Sequence, residues 1–163
     1  MPAPTTKSFH TFIFGIDYAG KTALYQTLRE NKEMPATKPT LSFNVGKLLI
    51  ENIEFVVWDA PGQKPFREVW KQGYARSKIL VFVLDTADPN RYSEALEEFQ
   101  KVINDPITRA APLVFCFHKM DLDNAKNNLV IAKALFDLVQ LRPRKMFIYE
   151  TSIYDPASMQ KLR

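Results

Sequence analysis

The apolar run FHTFIF, Phe9 to Phe14, ends in a glycine, and five residues later a second glycine is followed by lysine and threonine: GIDYAGKT, Gly15 to Thr22. No other stretch limits so tightly what this chain can fold into. A strand that breaks into G-x-x-x-x-G-K-T and continues as a helix is a strand–loop–helix unit, whose glycines let the backbone wrap closely with several amides facing inward. Amides converging on one point, with the positive end of the next helix behind them, make a phosphate site. Asp17, Tyr18, Ala19, Gly20, Lys21, Thr22 and Ala23 are then the phosphate-binding residues. Lys21 reaches the β- and γ-phosphates and the Thr22 hydroxyl ligates Mg2+.

The remaining elements alternate. Lys21–Asn31 reads as a helix with Leu24 and Leu28 on one face, followed by a polar loop, Lys32–Thr40. SFNVGKLLI and IEFVVWD read as a hairpin closed by Glu51-Asn52. A short helix is expected near Arg67–Ala75. KILVFVLD, Lys78 to Asp85, is an uninterrupted apolar strand of the parallel-sheet kind. Asp88-Pro89 starts a helix whose Leu96, Phe99, Val102 and Ile103 share a face. APLVFCFHKMD is a further buried strand, Leu129–Leu141 a helix, KMFIYETS the last strand, and Asp155-Pro156 the start of a last helix. The order β-α-β-β-α-β-α-β-α-β-α predicts an α/β fold: a six-stranded, mostly parallel sheet with one antiparallel edge strand and helices on both faces. A chain of 163 residues, 46% of them apolar, suits one domain spanning residues 1–163.

Composition removes several function classes. A single cysteine, Cys116 within PLVFCFH, leaves no internal disulfide and fits a buried side chain in a reducing, cytoplasmic setting. The net charge of +4 is mild, and the basic residues are scattered without interleaved aromatics, which argues against nucleic acid. It permits transient contact with an anionic membrane surface. No apolar stretch is long enough to cross a membrane, Pro2 stands where myristoylation needs glycine, and QKLR carries no prenylation box. Nothing in the sequence sets an oligomeric state.

Four further motifs extend the phosphate loop. WDAPGQ, Trp58 to Gln63, follows a strand: Asp59 is placed to hold Mg2+ through water, Gly62 to offer its N–H to a γ-phosphate, and Gln63 to orient an attacking water. HKMD, His118 to Asp121, follows another. A carboxylate at Asp121 accepts from guanine N1–H and the 2-amino group; adenine offers neither, and sites of this design discriminate on the order of 10⁴-fold. Thr40 in KPTLSFNV is placed to complete the metal shell, and in ETSIYD Ser152 and the Ile153 N–H are placed to touch the base. Phe66 and Trp70, just after WDAPGQ, are candidates for an apolar patch facing a partner, with core packing of at least one of them an equal alternative.

From about Phe9 onward these residues resemble the small GTPases of the Ras superfamily, nearest the Arf/Sar/Arf-like branch. GIDYAGKT, with Asp17 third, is similar to that branch's phosphate loop, PTLSFNV to its first switch, and VVWDAPGQ to its interswitch strand and second switch. The resemblance implies a P-loop NTPase fold and a GTP/GDP switch with Mg2+. Thr40 and Gly62 would hold the γ-phosphate, Lys21 and Gln63 would be catalytic, and Thr22, Thr40 and Asp59 (via water) would serve the metal. His118, Lys119, Asp121, Ser152 and Ile153 would form the guanine site. Expected partners are an exchange factor, an activating protein and effectors.

The chain departs from the branch in four places. His118 stands where Asn is usual, so guanine preference should survive with weaker affinity, and nucleotide affinity measured from pH 5.5 to 8 tests its contribution. Pro61 replaces a glycine and should stiffen the second switch. Eight residues precede Phe9 with no amphipathic pattern, in place of the branch's lipidated helix, and the closing helix is shorter than the family's. Lys38 in ATKPT is the nearest cation to Thr40 and a poor substitute for a guanidinium, so hydrolysis should be slow without a partner's arginine. Two rival readings are a GTP-binding interaction subunit that rarely hydrolyses and an ATP-using P-loop enzyme.

Overall fold

The computed structural model describes residues 7–30, 43–139 and 143–163. Six strands form one sheet in the order β2-β3-β1-β4-β5-β6. They are β1 (Ser8–Phe14), β2 (Asn44–Ile50), β3 (Ile53–Asp59), β4 (Ile79–Asp85), β5 (Leu113–His118) and β6 (Met146–Glu150). Only the edge pair β2·β3 is antiparallel; β1·β3, β1·β4, β4·β5 and β5·β6 are parallel. This is the expected α/β sheet.

Strand alternation decides which residues meet which helices. Phe12 and Phe14 of β1 face one way, with Phe82 of β4 and Phe115 and Phe117 of β5, against Trp70, Phe99 and Phe136. Those three come from α2 (Trp70–Tyr74), α3 (Tyr92–Ile103) and α4 (Asp123–Asp137). Ile13, Val57, Val83 and Cys116 face the other way, against Leu24 and Leu28 of α1 (Lys21–Glu30) and Met159 of α5 (Pro156–Leu162). Cys116 is fully buried, and burial pushes its thiol up to about 12, so it serves as a small apolar side chain.

The hairpin closes as expected: Glu51 and Asn52 both take positive φ, 48° and 66°, the two-residue turn whose twist matches its strands. Asp155 caps α5 by accepting from the Ala157 amide at 3.1 Å. Four boundaries differ from the sequence reading, one of them the end of α4, which stops at Asp137, four residues before Leu141. Helix α4 starts at Asp123, six residues before Leu129. Its first turns, DNAKNN, carry no apolar repeat, because only Ala125 among them is buried. After Asp88, Pro89–Arg91 form a 3-10 turn, and α3 begins at Tyr92. Lys64–Val69 likewise form a 3-10 helix ahead of α2.

Because five of the strands run parallel, the carboxyl ends of β1, β3, β4, β5 and β6 lie along one edge. In open α/β sheets that edge, where the chain order turns, is where ligands sit.

Candidate phosphate and purine site

Beyond β1 the chain turns through Gly15 at φ 156° and Gly20 at φ 97°. At Gly20 a side chain is excluded twice: the φ is left-handed, and a Cβ would stand 2.8 Å from His118 Cδ2. Tyr18, also at positive φ (62°), points its ring to solvent. The Gly20 carbonyl accepts from the Leu24 amide at 2.9 Å, so α1 begins directly under the loop with its amide end toward it. Lys21 is buried, and its Nζ donates to the Ile16 carbonyl at 2.9 Å. Burial lowers the Lys21 ammonium to about 8, against the opposing pull of Asp59 and Asp17. An anion in the loop would restore the charged form.

Asp59, at the end of β3, is completely buried. The Thr22 hydroxyl donates to its Oδ2 at 2.5 Å, and the Asn44 amide stands 3.5 Å from the same atom. Burial raises its carboxyl above the usual range, while the Thr22 hydrogen bond and the Lys21 charge pull the other way. Its Oδ1 has no hydrogen-bond partner among the described residues. A buried, unpartnered carboxylate oxygen beside a hydroxyl is a donor set suited to Mg2+, which takes one or two protein oxygens and fills its shell with water and phosphate. Thr40 lies outside the described residues.

Pro61 is buried, and its carbonyl accepts from the buried Trp70 indole at 2.6 Å. Trp70 therefore belongs to the core, while Phe66 is 37% exposed and keeps the surface position expected of it. Gly62 is pressed against the phosphate loop: a Cβ there would lie 2.6 Å from both the Asp17 amide nitrogen and Lys21 Nζ. Gln63 follows in extended conformation (φ −67°, ψ 134°), half-buried, at the head of the 3-10 helix. The structure thus brings Asp17, Lys21, Thr22, Asp59, Gly62 and Gln63 to one place.

The purine end is built by the loops after β5 and β6. Asp121 is exposed, and its Oδ1 accepts from the buried Ser152 hydroxyl at 2.7 Å. That hydroxyl in turn accepts from the Tyr154 amide at 3.1 Å, so Ser152 sets the Asp121 carboxylate in place. A carboxylate has about four acceptor positions, leaving room for two more donors. Ile153 is half-buried beside it. Lys119 donates from Nζ to the Tyr18 carbonyl at 2.6 Å and to Asp85 at 2.9 Å, tying this loop to the phosphate loop.

His118 is buried between the two halves, its Nδ1 2.7 Å from the Thr151 hydroxyl and its Cδ2–Nε2 edge against Gly20. Burial, aided by the Lys119 charge, lowers its pKa to about 4, so the imidazole is neutral throughout pH 5.5 to 8. A pH series of affinity over that window therefore does not read a titration of His118. Stability does report on it. The folded value lies below the unfolded 6.5, so the stabilising contribution is complete above pH 6.5 and declines as pH falls toward 4. Between pH 7.5 and 5.0 the parent should lose about 2 kcal/mol more unfolding free energy than His118→Asn. Urea unfolding of both at each pH measures this, and equal losses would contradict the buried neutral imidazole.

Three residues that the sequence did not single out complete the site. Arg67 is buried; its Nε donates to the Gly62 carbonyl at 2.7 Å, and its Nη2 meets Glu94 at 2.9 Å and Asp17 at 3.4 Å. Arg91 donates from Nη2 to Asp17 Oδ1 at 2.6 Å and from Nη1 to the Asp17 carbonyl at 3.1 Å, and also contacts Glu94 at 3.2 Å. For Asp17, burial would raise the carboxyl, but Arg91 and Arg67 outweigh it and hold it below the usual range. No local motif marks this group, because Arg67 and Arg91 reach Asp17 across 50 and 74 positions and Arg67 reaches Glu94 across 27; only the Arg91–Glu94 pair is local.

Residues 3–162 match the family model of the ADP-ribosylation factor family. Among solved structures, the chain is similar to the Arl6 (BBS3) small GTPase of Trypanosoma brucei, solved with the bound nucleotide analogue GppNp. The two share 23% identity over 96% of this chain and 97% of that one, with a TM-score of 0.72.

Proposed function

The chain belongs to the ADP-ribosylation factor family, and from that premise we propose that this Arf-like small GTPase acts as one domain that binds GTP and GDP with Mg2+ and slowly hydrolyses GTP. The observation that carries the reading is the meeting of Gly62 with Lys21 and the Asp17 amide at the head of α1, with Asp121 held by Ser152 at the other end of the same edge. That arrangement suits a ligand with a polyphosphate at one end and a purine with adjacent ring and amino donors at the other. A GTP of that orientation would lay its phosphates along the loop from Asp17 to Ala23, with Lys21 at the β- and γ-oxygens. Thr22, Thr40 and Asp59 would hold Mg2+, which when bound neutralises charge on those oxygens.

Gln63 would orient a water in line with the γ-phosphorus; its oxygen bonds phosphorus as the β–γ bridging oxygen departs with GDP, and phosphate is released. Loss of the γ-phosphate removes what the Gly62 amide holds, and the second switch relaxes. The exchange factor, activating protein and effectors expected of such a switch would read that change. Among the described residues no helix is long and apolar enough to cross a membrane.

Arg67 and Arg91, which lie beside the phosphate loop, both face carboxylates, so neither is free to stabilise the transferring phosphate. Single-turnover hydrolysis by the purified protein should therefore run at about 10⁻² s⁻¹ or slower. A rate of about 1 s⁻¹ or faster would contradict this mechanism. Retained GTP with no measurable turnover would instead favour the interaction-subunit reading.

A further inference from the structure

Asp17, Arg67, Arg91 and Glu94 form a closed ring of alternating charge. Asp17 Oδ1 is shared by both guanidiniums, at 2.6 Å and 3.4 Å, and Glu94 contacts both, at 2.9 Å and 3.2 Å. Glu98 approaches Arg67 Nη1 at 3.8 Å from the next turn of α3. The ring joins three segments distant in sequence: the phosphate loop, the segment after β3 and the start of α3. Its central side chain, Arg67, is only 5% exposed. Through Nε, Arg67 also holds the carbonyl of Gly62, the residue packed on Lys21 and the Asp17 amide.

A carboxylate in a phosphate loop ought to repel the ligand. Here two arginines turn it aside and neutralise it, so Asp17 becomes an anchor for the segment that carries Gly62. We infer that Arg67, closed in this ring with Asp17, Arg91 and Glu94, is a positioning residue that holds Gly62 against the phosphate loop and thereby favours nucleotides carrying a third phosphate. The inference rests on the guanine-nucleotide reading above. Its physical content is differential: the ring stabilises the closed placement of Gly62, a γ-phosphate engages the Gly62 amide only there, and a diphosphate makes no such demand. The planar fork of Arg67 serves Gly62, Glu94 and Asp17 together, which a lysine's single ammonium does not do.

The test compares affinities for GDP and for the non-hydrolysable analogue GppNp in the parent and in Arg67→Gln, Arg67→Lys, Arg91→Gln and Glu94→Gln, with exposed Glu68→Gln as control. The analogue-to-GDP affinity ratio should fall about 10-fold in both Arg67 variants and by a smaller factor in Arg91→Gln and Glu94→Gln, any loss of GDP affinity from a less neutralised Asp17 being smaller than the loss of analogue affinity, while the control stays at the parent's level. Retained GDP binding shows that a variant is folded; should Arg67→Gln fail to retain GDP, the variants of the half-buried Arg91 and Glu94 decide. A ratio unchanged in every folded variant, or equal losses for both nucleotides, would reduce the ring to a structural brace and overturn the inference. A parent that binds neither nucleotide would instead overturn the reading on which it rests.

Discussion

Replacing Asp121 by alanine will weaken guanine-nucleotide binding about 10²- to 10⁴-fold and remove the preference for GDP over ADP. The magnitude follows from two hydrogen bonds to a charged acceptor, each contributing about 1.5–3 kcal/mol when the partner is otherwise left without one. The geometry supports using the full value. Asp121 is not a mobile surface carboxylate: Ser152 donates to its Oδ1 at 2.7 Å, and that hydroxyl is fixed by the Tyr154 amide. The Ser152 amide in turn donates to the Ser158 hydroxyl at 3.1 Å in α5, so the anchor extends into the closing helix. Displacement of a fluorescent GDP analogue by unlabelled GDP and ADP reads both effects. GDP affinity within about threefold of the parent would remove Asp121 from the purine site.

Gly62→Ala will reduce GTP hydrolysis at least about 100-fold while leaving GDP affinity near the parent's. The added methyl has nowhere to go: it would lie 2.6 Å from the Asp17 amide nitrogen and from Lys21 Nζ, and 2.7 Å from Asp17 Cα. Two of those three neighbours are backbone and cannot swing aside. The segment must back away from the loop, against the pull of Arg67 Nε on the Gly62 carbonyl and of Trp70 on the Pro61 carbonyl. A retreat of about 1 Å takes Gln63 with it, and misplacement on that scale costs about 100-fold in rate. Single-turnover hydrolysis with parallel GDP titration measures it; turnover within about threefold of the parent would mean that Gly62 does not work in the closed position seen here.

What the sequence made legible was local. The spacing of Gly15, Gly20, Lys21 and Thr22 is a backbone requirement, and the structure realises it with two positive-φ glycines and an α1 that starts on the Gly20 carbonyl. The alternation of apolar strands with helices gave the sheet, and Glu51-Asn52 gave its hairpin. The polar first turns of α4 hid its start, because a helix with one buried alanine in that stretch leaves no periodic trace.

Contacts between distant segments were illegible for a different reason. Arg67 and Arg91 read as ordinary surface charges until the sheet brings their segments to Asp17, 50 and 74 positions away. His118 shows the same limit in another form. Its place at the end of an apolar strand could be read, but its neutrality depends on burial against Gly20 and Thr151, which only the assembled loops produce. Trp70 was open to either reading, and the Pro61 carbonyl drew it inside.

The most direct measurement is competition of unlabelled GTP and ATP against labelled GTP on the parent protein in the presence of Mg2+. The account predicts that the protein retains labelled GTP, that GTP displaces it at stoichiometric concentrations, and that ATP competes at least about 10³-fold more weakly. Displacement by ATP at the same concentrations as GTP, or no retained nucleotide at all, would contradict it.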